Sequence, residues 1–364
     1  MSDGNPHLVL GEPPLEQQRS ISTLSSGRGM SSSSRCPAAK LLSLEAGEEV
    51  VARLLERSFV VIRCHRPEAQ RCLWDEREHI FARAFDLSED DKTGSGNFRS
   101  VGSYTLGYKR EGNREFFETR VSRLGIVEPS LPVEGYQDFV LTLLRELNSI
   151  GVRILREISR ELGLDPSFLL DLVDSEICPL PEAAYSAAVL RICRYPPSEE
   201  RISFGAHTDT SILTICPLCS VPGLEVYDPH DQRWVAVESE YVSSDTVLVL
   251  VGELLQIIFR QKFRASVHRV RSPLERHRLS SPLLMRGRRA AIIDPSKYEH
   301  HLSEEEVAAL LADLHGVSMS EVHMLLDLKR RKCSKQNQIN EAEWVLSAFS
   351  ASVDSSNTNS MTTH

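Results

Sequence analysis

From about residue 185 to residue 294 the chain is a run of short apolar segments: AAVLRIC, SILTIC, GLEVYD, RWVAVE, TVLVLV, ASVHRV, LSSPLLM and AAIID. Each has the length of a strand, and turn residues separate them. No other feature restricts the fold as much. So many short strands in one block predict a mainly β architecture, either a barrel or a double-sheet jelly roll.

Helical patterns flank this block. Residues 44–57 read as a helix, followed by the short strand FVVI (59–62) and a second helix over 67–85. Ser88 is placed to cap the short turn SEDDK. The stretch TGSGNFRSVGSYTLGYKREGNREFFETRV is too long and polar for a plain connection, so a functional or disordered loop is expected there. Val140, Leu143, Leu144, Leu147, Ile150, Ile154, Ile158 and Leu162 then share one face of a long helix that Gly163 is placed to end. Asp165 and Pro166 suit the cap and first turn of another helix. Charged helices are expected at 303–314, 318–330 and 340–349. The Ser- and Gly-rich start and the polar end cannot bury enough apolar surface to order themselves.

Composition excludes some classes. The net charge of -9 argues against a mainly electrostatic nucleic-acid binder, and no apolar run is long enough to span a bilayer. The N-terminus lacks the basic and apolar regions of a signal peptide. Eight scattered cysteines form no dense framework, which favours a reduced, intracellular compartment. A cytoplasmic monomer is expected, with KRRK (329–332) leaving nuclear entry open. The lone CxxC at Cys216 and Cys219 reads as strand-end packing, because no second pair completes a structural zinc site.

One stretch of the block carries chemistry. In FGAHTDTSILTICP, His207 and Asp209 stand two residues apart, and residues i and i+2 of a strand share a face. A metal would explain the pairing if a third ligand lay on a neighbouring strand. His230, His277, His300 and His301 fall in turns or polar loops, whereas His268 lies within RASVHRV. Two imidazoles and one carboxylate, with three positions left open, form the facial triad of non-haem Fe(II) oxygenases. Ten residues later comes RLS. An arginine inside a barrel is costly unless it meets an anion, and the planar fork of Arg278 suits a carboxylate. Ser280 shares its strand face, and Tyr195 in RICRYPP could reach the same carboxylate. Tyr104, Tyr108, Phe116, Phe117 and Phe204 are candidate substrate-pocket residues, each explained as well by core packing. Arg110 and Arg114 could meet an acidic substrate or face solvent.

Taken in order, RYPP, GAHTD, GLEVYDPHDQRWVAVE, VGELLQII, RASVHRV and RLSSPLLMRG resemble the isopenicillin N synthase-like family of Fe(II) and 2-oxoglutarate-dependent dioxygenases. GYKREGNREFFETR also looks like the family's N-terminal part, and the resemblance covers roughly residues 40–330. It implies a double-stranded β-helix (jelly-roll) core with a helical N-terminal region and C-terminal helices. The resulting layout is a tail (1–38), a helical N-terminal region (39–180), the dioxygenase domain (181–300), C-terminal helices (301–350) and a second tail (351–364). The resemblance implies His207, Asp209 and His268 as iron ligands. It implies Arg278, Ser280 and Tyr195 as the seat of the distal carboxylate of 2-oxoglutarate, and it admits ascorbate as an accessory. The implied reaction oxidises a small organic molecule with O2, by hydroxylation, desaturation or ring closure, and releases succinate and CO2. Many plant-type members carry Asn two residues before the tyrosine, where this chain has Cys193. CRYP is closer in this respect to isopenicillin N synthase, which keeps open an iron oxidase acting without 2-oxoglutarate. A third alternative is a non-catalytic binding protein on the same fold.

Overall fold

The segment TVLVLV shows how the block folds. Val247, Val249 and Val251 enter one apolar cluster, while Leu248 and Leu250 enter another. A strand whose two faces are both buried reads as a continuous apolar run, because the pleat sends alternate side chains to opposite sides. Burying each Val or Leu in this way contributes about 1.5–3 kcal/mol.

A computed structural model describes residues 41–288 and 291, apart from 65–67, 95–97, 102–103, 178–183, 242–244 and 260–261, with the side chains of 68–75 also left out. The two expected tails, the three expected C-terminal helices and KRRK lie outside the described residues.

Ahead of the block come β1 (Leu42–Ser43), α1 (Gly47–Arg57), β2 (Phe59–Arg63), α2 (Glu68–Phe85), α3 (Glu89–Gly94), β3 (Arg99–Val101), β4 (Tyr104–Glu111), β5 (Arg114–Val121), β6 (Val127–Glu128) and α4 (Tyr136–Glu161). The block supplies β7 (Val189–Tyr195), β8 (Ile202–His207), β9 (Leu213–Pro217), β10 (Leu224–Asp228), β11 (Arg233–Ala236), β12 (Thr246–Val251), β13 (His268–Arg271), β14 (Arg278–Ser280) and β15 (Leu283–Met285). Two short helices, α5 (Val237–Glu240) and α6 (Glu253–Ile258), interrupt it.

Among the described residues these strands form two sheets. The larger runs β1-β2-β12-β9-β15-β7-β5-β4-β3, with β14 also beside β7 and β6 beside β5. The smaller runs β11-β10-β13-β8. One apolar cluster lies between the sheets: Phe59, Val61, Phe116, Cys193, Tyr195, Leu248 and Leu250 of the larger meet Leu224, Val226, Val235 and Val270 of the smaller. The other cluster joins the outer face of the larger sheet to α1, α2 and α4. This is the jelly roll with flanking helices that the block predicts.

The long helix forms as its periodicity requires. Val140, Leu143, Leu144, Leu147, Ile150, Ile154 and Ile158 of α4 are buried, and Gly163, at φ +67, follows its end. Ser88 Oγ accepts the Asp91 N–H at 3.1 Å, as a cap should. Two expectations fail. The Gly-rich stretch is not a loop but the β3–β4–β5 meander. β5 is buried along its whole length and pairs with β7, so residues of the N-terminal region complete the larger sheet. Its polarity disguised it, because its charged side chains are neutralised by partners distant in sequence. Arg194 Nε donates to Glu115 at 2.6 Å, and Arg191 donates to Glu118. Beyond Pro166 there is no α-helix but turns and a short 3-10 segment at Leu170–Leu172. Asp165 still caps the first turn, accepting the Ser167 N–H at 2.7 Å.

Candidate metal centre and adjoining cavity

His207 ends β8 and His268 begins β13, and the two are direct cross-strand partners. Their rings lie 4.2 Å apart between centroids. Asp209 does not share a strand with His207. β8 stops at His207, and Asp209 sits in the connection that leads to β9 in the other sheet. Convergence therefore comes from the turn and not from the pleat. The turn is fixed from both sides: the Glu253 N–H donates to the Asp209 carbonyl at 2.9 Å, and the Thr214 hydroxyl donates to its carboxylate at 2.8 Å. One ligand atom from each of the three residues lies within 4.8 Å of the others. His268 Nε2 is 3.7 Å from Asp209 Oδ2.

The hydrogen bonds behind the rings decide which nitrogen faces this point. His207 Nδ1 is 2.9 Å from the Gly205 carbonyl, and His268 Nδ1 is 3.0 Å from the Ser266 carbonyl. A carbonyl only accepts, so each Nδ1 carries the proton and each Nε2 lone pair is left for a metal. Burial, reinforced by the neighbouring His268, pushes the His207 pKa down to about 3, which keeps its ring neutral as ligation requires. Burial alone would lift the Asp209 carboxyl. The facing His268 and His207 rings and the Thr214 hydroxyl bring it below its usual value.

The centre opens into a cavity between the sheets. Its larger-sheet wall follows from register. Arg191, Cys193 and Tyr195 alternate inward on β7, and β14 sets Arg278 opposite Tyr195 and Ser280 opposite Cys193. Leu224, Leu250, Val270 and Leu284 supply apolar lining. All three residues expected to seat a carboxylate therefore line the same cavity as the three expected ligands.

A buried Arg278 needs an anion to compensate it. Within the fold it is Glu238, on α5. Arg278 Nη2 donates to it at 2.6 Å and Nε at 3.2 Å, and both side chains are 1 % exposed. Arg278 Nη1 is buried without a hydrogen-bond partner. That orphan donor, on a cavity-lining arginine beside Ser280 and Tyr195, is what a ligand carboxylate would satisfy. Burial keeps the Tyr195 phenol protonated, its pKa raised well above the ordinary value, so its hydroxyl can also donate. Gly223 makes room for the arginine: a Cβ there would lie 2.8 Å from Arg278 Cδ and 2.9 Å from the Arg271 carbonyl. The donor set of the cavity fits both a ferrous ion and a chelating keto acid with a distal carboxylate.

Of the candidate pocket residues, Phe204 lines the cavity and stacks edge-on against His207 at 4.1 Å. Phe116 packs behind it in the cluster between the sheets. Tyr108 and Phe117 belong to the outer core, and Tyr104 stands against Tyr185. Arg110 is 65 % exposed, while Arg114 lines the cavity. Two positions at the cavity escaped the sequence reading. Arg191 was legible in principle as the next inward residue of the Arg191-x-Cys193-x-Tyr195 alternation. Glu238 carried no local signal, since it closes the segment RWVAVE and is followed by the polar run SE. Cys216 and Cys219 are buried free thiols at the end of β9, consistent with packing.

The family model described as the 2OG-Fe(II) oxygenase superfamily matches residues 186–287, a span containing every ligand and carboxylate-seating candidate. Gibberellin 2-beta-dioxygenase 2 of Arabidopsis thaliana is 25% identical over 262 residues, covering 67% of this chain and 72% of that protein. Among solved structures, T7H of Neurospora crassa in complex with alpha-KG and 5-formyluracil superposes with a TM-score of 0.60. It is 19% identical and covers 77% of this chain and 93% of its own. The auxin-oxidising dioxygenase 1 of Arabidopsis thaliana, a 2-oxoglutarate complex, gives a TM-score of 0.58 at 15% identity, covering 73% of this chain and 98% of its own.

Proposed function

The chain belongs to the 2OG-Fe(II) oxygenase superfamily, and on that premise we propose that His207, Asp209 and His268 hold its ferrous ion while Arg278, Ser280 and Tyr195 seat the distal carboxylate of 2-oxoglutarate. It is an Fe(II)/2-oxoglutarate-dependent dioxygenase acting on a small molecule with O2. The observation that carries the residue assignment is the meeting of three metal-ligand atoms within 4.8 Å beside an arginine whose Nη1 is buried and unpartnered.

When bound, the iron supplies the dioxygen chemistry that couples 2-oxoglutarate decarboxylation to substrate oxidation. The protein's own residues orient and exclude. The Gly205 and Ser266 carbonyls fix both imidazole tautomers, and Thr214 fixes the carboxylate. Among the described residues three protein ligands converge, which leaves the side facing the cavity for exchangeable groups. Arg278 Nη1, the Ser280 hydroxyl and the Tyr195 hydroxyl offer three donors on one wall, and a charge-assisted bond from the guanidinium is the strongest. The aliphatic lining keeps water from the reacting carbon. Cys193 faces Ser280 across β7 and β14, where an amide would have offered a further donor. The carboxylate is thus gripped by Arg278 and Ser280 of β14 and by Tyr195 of β7. We take the protein to act as a cytoplasmic monomer without nucleic acid or membrane; its net charge of -9 supports the absence of nucleic acid.

Labelled 2-oxoglutarate decarboxylation by the iron-loaded protein tests the proposal. The expected result is decarboxylation in the wild type and none in Asp209→Ala, with weakened iron binding in the variant. Full iron occupancy and turnover in Asp209→Ala would overturn the ligand assignment. Substrate oxidation without any 2-oxoglutarate would overturn the carboxylate seat.

A further inference from the structure

The cavity is lined by three arginines, and the proposed chemistry uses one. Arg278 stands on β14. Arg191 on β7 and Arg114 at the start of β5 have no part in seating 2-oxoglutarate. Neither is a solvated surface charge. Arg114 is 7 % exposed, and the Arg191 Nε is buried with no hydrogen-bond partner. Their carboxylate partners stand outside the cavity lining. Arg114 Nη2 donates to Glu111 at 2.9 Å and Arg191 Nη2 to Glu118, yet neither acid lines the cavity. Asp209, a ligand in the proposed centre, is the single carboxylate among the cavity-lining residues described. Arg191 Nε is thus a buried donor without a hydrogen-bond partner, and Arg114 adds a cavity-lining guanidinium whose acceptor, Glu111, stands outside the lining.

Both guanidiniums pack against one aromatic ring. The guanidinium carbons of Arg114 and Arg191 lie 5.2 Å and 5.4 Å from the centroid of the same ring, Phe116. Arg114 also stacks on Phe204, its guanidinium carbon 3.4 Å from that centroid, and Phe204 in turn contacts the His207 ring. Stacking fixes the plane of a guanidinium and leaves its N–H edges free, and those edges match a carboxylate. One aromatic ring thus separates the Arg114 fork from a ligand of the metal centre. Register explains why both point inward. Arg114, Phe116 and Glu118 alternate on one face of β5, beside Arg191 and Cys193 of β7.

Resting on the assignment of the metal centre above, we infer that the substrate is an organic acid with an apolar body, its carboxylate held by Arg114 and Arg191. The body lies against Phe204 and the aliphatic lining, which brings a carbon of it to the open side of His207, Asp209 and His268. An unpaired buried guanidinium donor is costly, so an acid satisfies the site and a neutral ester leaves it unsatisfied.

The test loads the full chain with Mn(II) under nitrogen, which permits binding without turnover. A panel of arylalkanoic, terpenoid and fatty acids is titrated by calorimetry, each beside its own methyl ester, before and after 2-oxoglutarate is added. The expected result is at least one acid bound about tenfold or more tightly than its ester. Arg114→Met should abolish that preference and Arg114→Lys should keep part of it, with 2-oxoglutarate affinity unchanged in both. Because removing Arg191 alone would strand the Glu118 carboxylate, its test is the double variant Arg191→Met with Glu118→Gln, which should also lose the preference. Esters binding as well as their acids, no acid binding, or a preference that survives both variants would overturn the inference. Acid preference in a protein that ignores 2-oxoglutarate would uphold it and remove the cosubstrate assignment instead.

Discussion

Replacing Glu238 by Gln changes one atom and strikes the most heavily used carboxylate near the site. Its Oε1 accepts Arg278 Nη2 at 2.6 Å and the Cys219 N–H at 3.1 Å. Its Oε2 accepts the Gly223 N–H at 2.8 Å, the Leu224 N–H at 3.0 Å and Arg278 Nε at 3.2 Å. Whichever oxygen becomes the amide nitrogen, at least two donors then face a donor. Arg278 keeps its charge, because burial opposes the cation but the surroundings hold it well above its ordinary pKa. Removing one partner of a buried pair costs about 3–5 kcal/mol, since the other charge is left uncompensated. With an m-value of about 3 kcal/mol per molar urea, the midpoint should fall by about 1–2 M. Urea unfolding followed by far-UV circular dichroism measures this directly. In the variant, 2-oxoglutarate should raise the midpoint more than in the wild type, because its distal carboxylate supplies the missing anion. A loss below about 1 kcal/mol would show that Arg278 does not depend on Glu238, and the reasoning would fail.

Other outcomes follow from the same geometry. Arg278→Lys keeps the charge but loses the fork, so the apparent 2-oxoglutarate constant should rise about tenfold or more while iron binding survives, as read in a titration of decarboxylation. In the metal-free protein, acid should destabilise in two stages. His207 has a folded pKa near 3, below its unfolded value, so the unfolded chain takes up the proton first and stability falls as pH drops below about 6.5. Asp209, Glu118 and Glu238 are depressed carboxylates, whose contribution is present above about pH 4.5 and is lost as pH falls through their folded values. His207→Gln should remove the first stage from a melting-temperature profile and leave the second. Deletion of residues 1–38, which carry none of the proposed site residues, should leave iron binding and the melting temperature unchanged; loss of folding would show that this segment packs against the rest.

What the sequence determines by itself is whatever depends on local order. Period-two and uniformly apolar segments set the strands of the block, and the 3.6-residue spacing of Val140 to Ile158 set α4, because side-chain direction follows from backbone repeat alone. The ligand set was legible for a related reason. His207 and His268 at strand ends and Asp209 two residues beyond His207 are rare residue types among apolar segments, and burial there demands a use. Tertiary structure decided what depends on partners distant in the chain. The β3–β4–β5 meander looks like a polar loop until Arg191 and Arg194 of β7 arrive to neutralise Glu118 and Glu115. Asp209 reaches its histidines through a turn that the Thr214 hydroxyl and the Glu253 amide hold. Arg278 was rightly read as needing an anion, yet Glu238, which supplies it within the fold, lies forty positions away on a separate element. A charge inside a protein is stabilised by whichever opposite charge the fold brings within a few ångströms, and along a chain nothing marks which one that will be.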